Sequence, residues 1–208
     1  VTSGRERAYE FLRDTVLTDP QLQGQFVSEQ EIADRVGVSR TPVREALLLL
    51  AAEDLVRLVP KRGAYVAPVT GREVSELMEL RGVVERYAAE RVLAAGNPPL
   101  PEMRHAVEMQ RTLRAAADLR AFAEWDQRFH TALVAATGNR LLTQIYEGLR
   151  ARQVRCAMAA LYDTTERREE VLAGHEAILA ALVAGDAASA GEAITAHLRA
   201  ALKVLLVG

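Results

Sequence analysis

Gly37-Val38-Ser39-Arg40-Thr41-Pro42-Val43-Arg44-Glu45-Ala46-Leu47 reads as a tight turn that opens a helix. Gly37 suits the left-handed position that ends one helix, Ser39 is placed to cap the next, and Pro42 is tolerated in its first turn. Arg40 and Arg44 stand four apart and leave the helix on one face, where two guanidinium groups reach the edge or backbone of a nucleic acid. Val43, Ala46, Leu47, Leu50 and Ala51 form the inward stripe of the same helix.

Upstream, Ala8, Phe11, Leu12 and Val16 recur at helical spacing and predict a helix over residues 5–17, stopped by Asp19-Pro20. The segment to Val27 reads as a loop. Ser28-Glu29-Gln30-Glu31 is a capping box that starts a short helix through Val36. Downstream the period changes. Leu55–Val59 and Ala64–Ala67 flank Pro60-Lys61-Arg62-Gly63, which predicts a two-stranded hairpin with a basic, glycine-containing tip. Helix, tight turn, helix and hairpin together make a winged helix-turn-helix. Ser39, Arg40, Thr41 and Arg44 at the helix start and Lys61, Arg62 and Gly63 on the wing form its expected DNA-binding set. Any one of these arginines also fits a solvated helix face.

Pro68-Val69 reads as a linker and Thr70-Gly71-Arg72-Glu73 as a second capping box. From there the pattern is helical, with segments at about 70–95, 101–117, 119–137, 139–161, 164–184 and 187–206. Gly96-Asn97-Pro98-Pro99, Asp118, Gly138-Asn139, Asp163-Thr164 and Gly185-Asp186 break them. The expectation is a mainly α protein: a DNA-binding unit over 1–69 and an antiparallel six-helix bundle over 70–208.

Half of the 208 residues are hydrophobic and the formal net charge is −2, so a core is assured and nothing attracts DNA globally. Recognition must come from a local patch. A single cysteine, Cys156, excludes an internal disulfide. No apolar run approaches the ~20 residues of a membrane span, and the charged N-terminus lacks a signal-peptide core. A soluble, cytoplasmic protein is expected.

Ser39-Arg40-Thr41-Pro42-Val43-Arg44-Glu45-Ala46-Leu47 with Lys61-Arg62-Gly63-Ala64-Tyr65-Val66 resembles the N-terminal domain of GntR-family transcriptional regulators. Glu79-Leu80-Arg81, Asp126-Gln127-Arg128-Phe129-His130, Gly138-Asn139-Arg140-Leu141-Leu142, His175-Glu176-Ala177-Ile178 and Gly185-Asp186 with His197-Leu198 are similar to the effector-binding FCD domain of the FadR subfamily. The resemblance spans nearly the whole chain. Two features depart from it: Gln23-Gly24-Gln25-Phe26 lacks the usual Pro-Gly, and Gln30 stands where many members carry a DNA-contacting arginine.

There are four histidines. Asp126 and His130 are four apart and share a helix face. His175 and His197 fall on inward stripes, beside Leu172, Ile178 and Leu182 in one helix and Ile194, Ala201 and Leu205 in the other. Three helices can therefore aim one carboxylate and three imidazoles at one cavity, a set suited to Zn²⁺, Ni²⁺ or Mn²⁺. Residue spacing alone equally allows hydrogen-bonded core histidines; the resemblance selects the metal, with Zn²⁺ first. Four protein ligands on a six-coordinate metal leave two positions for water or an effector carboxylate. The resemblance turns Arg81 toward the same cavity, while the spacing also offers an ion pair with Glu85. Asn139 reads as a helix cap that the family motif makes an effector-binding candidate, and His105 as a surface residue.

The expected function is a metabolite-responsive repressor: a homodimer on an inverted-repeat operator, switched by a small carboxylate. Two alternatives share the motifs. One is a purely structural metal site; the other is a metal-dependent hydrolase or lyase fused to a DNA-binding module. Against the enzyme, Glu176 beside His175 points about 100° away on its helix.

Overall fold

The computed structural model describes residues 2–114, 118–161 and 165–207. The chain divides between Val69 and Thr70 into two compact units.

In the first unit, Ser3 and Glu6 form a full reciprocal capping box that starts α1 (Gly4–Phe11). The predicted helix over 5–17 does not run on regularly. Leu12–Val16 is a π-helical turn in which the Leu17 N–H donates to the Leu12 carbonyl, and this wider turn buries Leu12, Val16 and Leu17 together. Ser28 accepts from the Glu31 N–H to start α2 (Glu29–Val36), but the exposed Glu31 leaves that capping box half made. Gly37, at φ 70°, ends α2 in the left-handed region.

α3 (Arg40–Ala52) buries Val43, Ala46, Leu47 and Leu50. Ser39 has the extended backbone of an N-cap, yet its side chain makes no cap bond. Such a cap bonds the second or third helical N–H; the third residue here is Pro42, which has none, so one of the two partners is missing. β2 (Val56–Val59) and β3 (Gly63–Val66) form the predicted hairpin. A third strand, β1 (Phe26–Val27), lies within the stretch read as loop. It pairs antiparallel with β3, giving the order β1-β3-β2.

The second unit is helical: α4 (Gly71–Ala94), α5 (Leu100–Leu113), α6 (Leu119–Ala135), α7 (Arg140–Gly148), α8 (Arg150–Leu161), α9 (Thr165–Ala184) and α10 (Ala187–Val207). Among the described residues it therefore has seven helices rather than six. The segment read as one helix over 139–161 breaks at Leu149, after Gly148, where ψ relaxes to −7°; glycine is a weak helix former, so the interruption falls where the chain resists least. The Asp163-Thr164 break lies outside the described residues, as do residues 115–117 of the segment expected over 101–117.

Thr70 caps α4 through the Glu73 N–H, while the Glu73 carboxylate turns instead toward Arg152 and Arg155 on α8. α10 packs on α4 and α9, α6 on α5, α4 and α8, and α5 on α9. The helices bearing Asp126, His130, His175 and His197 thus surround one interior. No helix among the described residues is long and apolar enough to cross a membrane.

Candidate DNA-reading surface and metal centre

The first unit brings the start of α3 and the wing to one groove of about 540 Å³. Arg40, Arg44, Lys61, Arg62 and Gly63 line it, joined by Ser28, Glu29 and Gln30 from the start of α2. Ser39, Arg40, Thr41, Arg44, Lys61 and Arg62 are all exposed. Ser39 is exposed and makes no cap bond at the α3 N-terminus, an arrangement suited to phosphate. Arg40 Nη2 donates to Glu29 Oε2 at 3.1 Å. The Arg62 guanidinium lies over the Phe26 ring at 4.0 Å, so β1 steadies the wing's charge.

Glu29 and Phe26 carry no sequence signal for these roles, since each acts on a residue distant along the chain. The wing tip is a Val59-Pro60-Lys61-Arg62 turn closed by the Arg62 N–H on the Val59 carbonyl. Lys61 adopts φ 64° at its third position, where type II turns favour glycine. Gly63, at φ 96°, passes so near Val27 that a Cβ would strike the Val27 carbonyl.

In the second unit Asp126 and His130 of α6, His175 of α9 and His197 of α10 each offer one ligand atom, all within 4.8 Å of one another. His175 Nε2 lies 3.1 Å from His130 Nε2 and 3.3 Å from Asp126 Oδ1. The three imidazoles are buried. Burial pushes His175 and His197 below the usual imidazole range, so both are neutral near pH 7 and keep a lone pair to donate.

The tautomers follow from the partners behind each ring. His175 Nδ1 is 2.8 Å from Gln110 Oε1, and an amide oxygen only accepts, so the proton sits on Nδ1 and Nε2 faces the cluster as an acceptor. His130 Nδ1 lies 2.8 Å from Glu85 Oε2, outside the angle of a regular N–H···O hydrogen bond. A proton on Nδ1, toward that carboxylate, leaves His130 Nε2 to accept. Two imidazole lone pairs and a carboxylate oxygen then converge within hydrogen-bond distances, a donor set that fits a divalent cation. Phe129 stacks on His175 with ring centroids 4.0 Å apart and fixes its plane.

Arg81 takes the ion pair that its spacing offered: Nε donates to Glu85 Oε1 at 2.8 Å, both side chains being buried. Its Nη2 is also buried and has no hydrogen-bond partner. Asn139 is exposed and caps α7 by accepting from the Leu142 N–H; its side chain is not brought to the cluster. His105 is exposed, edge-on to Trp125. Glu176 pairs with Arg111 on the surface at 2.7 Å and is no base for the cluster. Glu85 and Gln110, the groups behind the histidines, were missed in the sequence because each reads as an ordinary helix polar residue.

A winged helix-turn-helix with a basic groove, joined to a helical unit with a buried polar cluster, defines a DNA-binding transcriptional regulator. Residues 5–66 match the model of bacterial regulatory proteins of the gntR family, and residues 76–200 that of the FCD domain. The chain belongs to the gntR family, in its FCD-containing FadR subfamily. It is 34% identical over 199 residues to an HTH-type transcriptional regulator in an unstable DNA locus of Streptomyces ambofaciens, covering 95% of this chain and 83% of that one. It is 31% identical over 150 residues to the gluconate operon transcriptional repressor of Bacillus subtilis, covering 72% of this chain and 61% of that one. The fold is shared with a GntR transcriptional regulator from Rhodococcus sp. RHA1, at TM-score 0.83 and 24% identity over 98% of both chains.

Proposed function

We propose that this regulator is a cytoplasmic, homodimeric repressor of an inverted-repeat operator, released or retained by a small organic acid bound beside a divalent metal. Residues 1–69 read the DNA through Ser39, Arg40, Thr41, Arg44, Lys61, Arg62 and Gly63. Residues 70–208 hold the metal and the effector and supply the dimer contact. The observation that carries this reading is the meeting of Asp126, His130, His175 and His197 donor atoms, tied through Glu85 to Arg81 with its buried, unpartnered Nη2. Zn²⁺ suits the donors best, and Ni²⁺ or Mn²⁺ accept the same set.

Charge supports an acid as effector. Asp126 and Glu85 against Arg81 leave this interior negative; a divalent metal turns it positive, and a carboxylate restores the balance. The free edge of the Arg81 guanidinium matches such a group. Leu80, Val83 and Tyr87 form an exposed apolar stripe on α4 that suits contact with a second copy. The name of the Bacillus subtilis relative supports repression as the sign.

The test begins with protein purified without chelator and analysed for bound metal and acids by mass spectrometry. Duplexes selected from a random pool then serve for binding titrations with a panel of small carboxylates. An active acid changes operator affinity of the wild type, and Arg81→Ala abolishes the response; Arg81→Lys keeps the charge against Glu85 and separates loss of fork from loss of fold. A response unchanged by both substitutions refutes the effector placement, and a metal-loaded protein deaf to every acid favours a structural metal.

A further inference from the structure

Glu85 is completely buried in the interior of the helical unit, and three different helices converge on it. Oε1 accepts from Arg81 Nε on α4 at 2.8 Å and from the Tyr146 hydroxyl on α7 at 2.6 Å. Oε2 lies 2.8 Å from His130 Nδ1 on α6. Arg81 is charged at any working pH, and its buried ion pair with Glu85 makes this side chain a carboxylate. An ionised carboxylate only accepts, so every neighbour must present a proton to it.

We propose that Glu85 is the positioning residue of the metal cluster: it fixes the His130 proton on Nδ1, turns Nε2 toward Asp126 and His175, and ties that ring to Arg81 and Tyr146. The inference rests on the metal reading above only for its consequence, because the tautomer is a property of the metal-free protein. Imidazole ligands lose affinity when the partner of their second nitrogen is removed, typically by ten- to a hundredfold. Glu85 has further reach than such a partner usually has. The carboxylate that orients a cluster imidazole also holds the guanidinium beside it and the one α7 side chain that is buried. Any anion that draws on Arg81 therefore acts on the carboxylate that orients His130.

Two measurements test this on the full chain. Imidazole ¹⁵N spectra of the metal-free wild type report the tautomer directly: a His130 proton on Nδ1 is expected, and a proton on Nε2 overturns the proposal. Zinc affinity is then read by competition with a chelating dye for the wild type, Glu85→Gln and His130→Ala. Glu85→Gln weakens zinc ten- to a hundredfold and His130→Ala more; wild-type affinity in Glu85→Gln with loss in His130→Ala overturns it. Since Glu85→Gln leaves Arg81 buried without its charge partner, Arg81→Gln/Glu85→Gln is measured beside it, with circular dichroism confirming the fold. A wild type that holds no zinc defeats the metal reading and leaves the ¹⁵N spectra to decide the role of Glu85.

Discussion

His197 is seated against Gly174. A Cβ built at residue 174 would lie 3.2 Å from Cγ and 3.3 Å from Cβ of His197, and closer still to its Nδ1. Glycine in the middle of α9 costs helix stability, ~1 kcal/mol against alanine, and this contact explains its presence. Gly174→Ala therefore displaces the imidazole without altering any ligand. Overpacking costs ~1–3 kcal/mol, partly offset by the better helix former, so metal-free stability falls by at most ~2 kcal/mol. Zinc affinity falls at least tenfold. Thermal unfolding and dye competition measure the two, and wild-type zinc affinity in the variant would falsify the seating role.

Metal removal has a calculable effect on stability. A ligand that binds only the folded state at a free concentration 100 times its Kd stabilises by about 2.7 kcal/mol. Calorimetry of the zinc-loaded and chelator-treated protein should show the helical unit melting several degrees lower without metal. The difference should vanish in His175→Ala. Identical melting with and without metal would mean that the cluster binds none.

The reading head was legible because its signals are local. Gly37 in the left-handed region, the inward stripe of α3 and the glycine-containing wing tip each follow from neighbouring residues. β1 was not, because two residues, Phe26 and Val27, carry no period, and only pairing with β3 some forty residues on makes them a strand. Pro42 fits the first turn of α3 but removes one of the two N–H partners open to the Ser39 cap. Helix periodicity placed Asp126, His130, His175 and His197 on inward faces, which is why their meeting could be anticipated. The groups behind them could not be. Glu85 reads as half of an i,i+4 pair and Gln110 as a helix polar residue until tertiary packing puts His130 and His175 against them.

Arg44 is exposed at the groove between α3 and the wing. If its fork contacts a base edge, Arg44→Ala weakens the selected operator by ~1–3 kcal/mol and random duplex far less. Anisotropy titrations on both duplexes at one salt concentration make the comparison. Equal losses would reassign Arg44 to a phosphate.

Cys156 is buried, and burial first, with the nearby Glu73 carboxylate second, pushes its thiol up to about 12. Its thiolate fraction near pH 8 is then negligible. The native protein should resist iodoacetamide at that pH, whereas denatured protein reacts at the rate of an ordinary thiol. Mass spectrometry of timed samples checks this; rapid native alkylation would show that α8 opens easily.

Lys61 sets stability against function at a single residue. Its φ of 64° costs an L-residue ~1–2 kcal/mol, and glycine at the same place loses only ~0.5–1 kcal/mol in unfolded-state entropy. Lys61→Gly should therefore leave the fold as stable as before, or more stable by up to ~1.5 kcal/mol. If the side chain meets a phosphate, the same change weakens binding to every duplex alike and lowers the slope of log affinity against log salt by ~0.9. Stability that holds or rises while the salt slope falls identifies a strained backbone kept for its charge. An unchanged slope would instead place Lys61 off the DNA and leave its conformation to the geometry of the Pro60 turn alone.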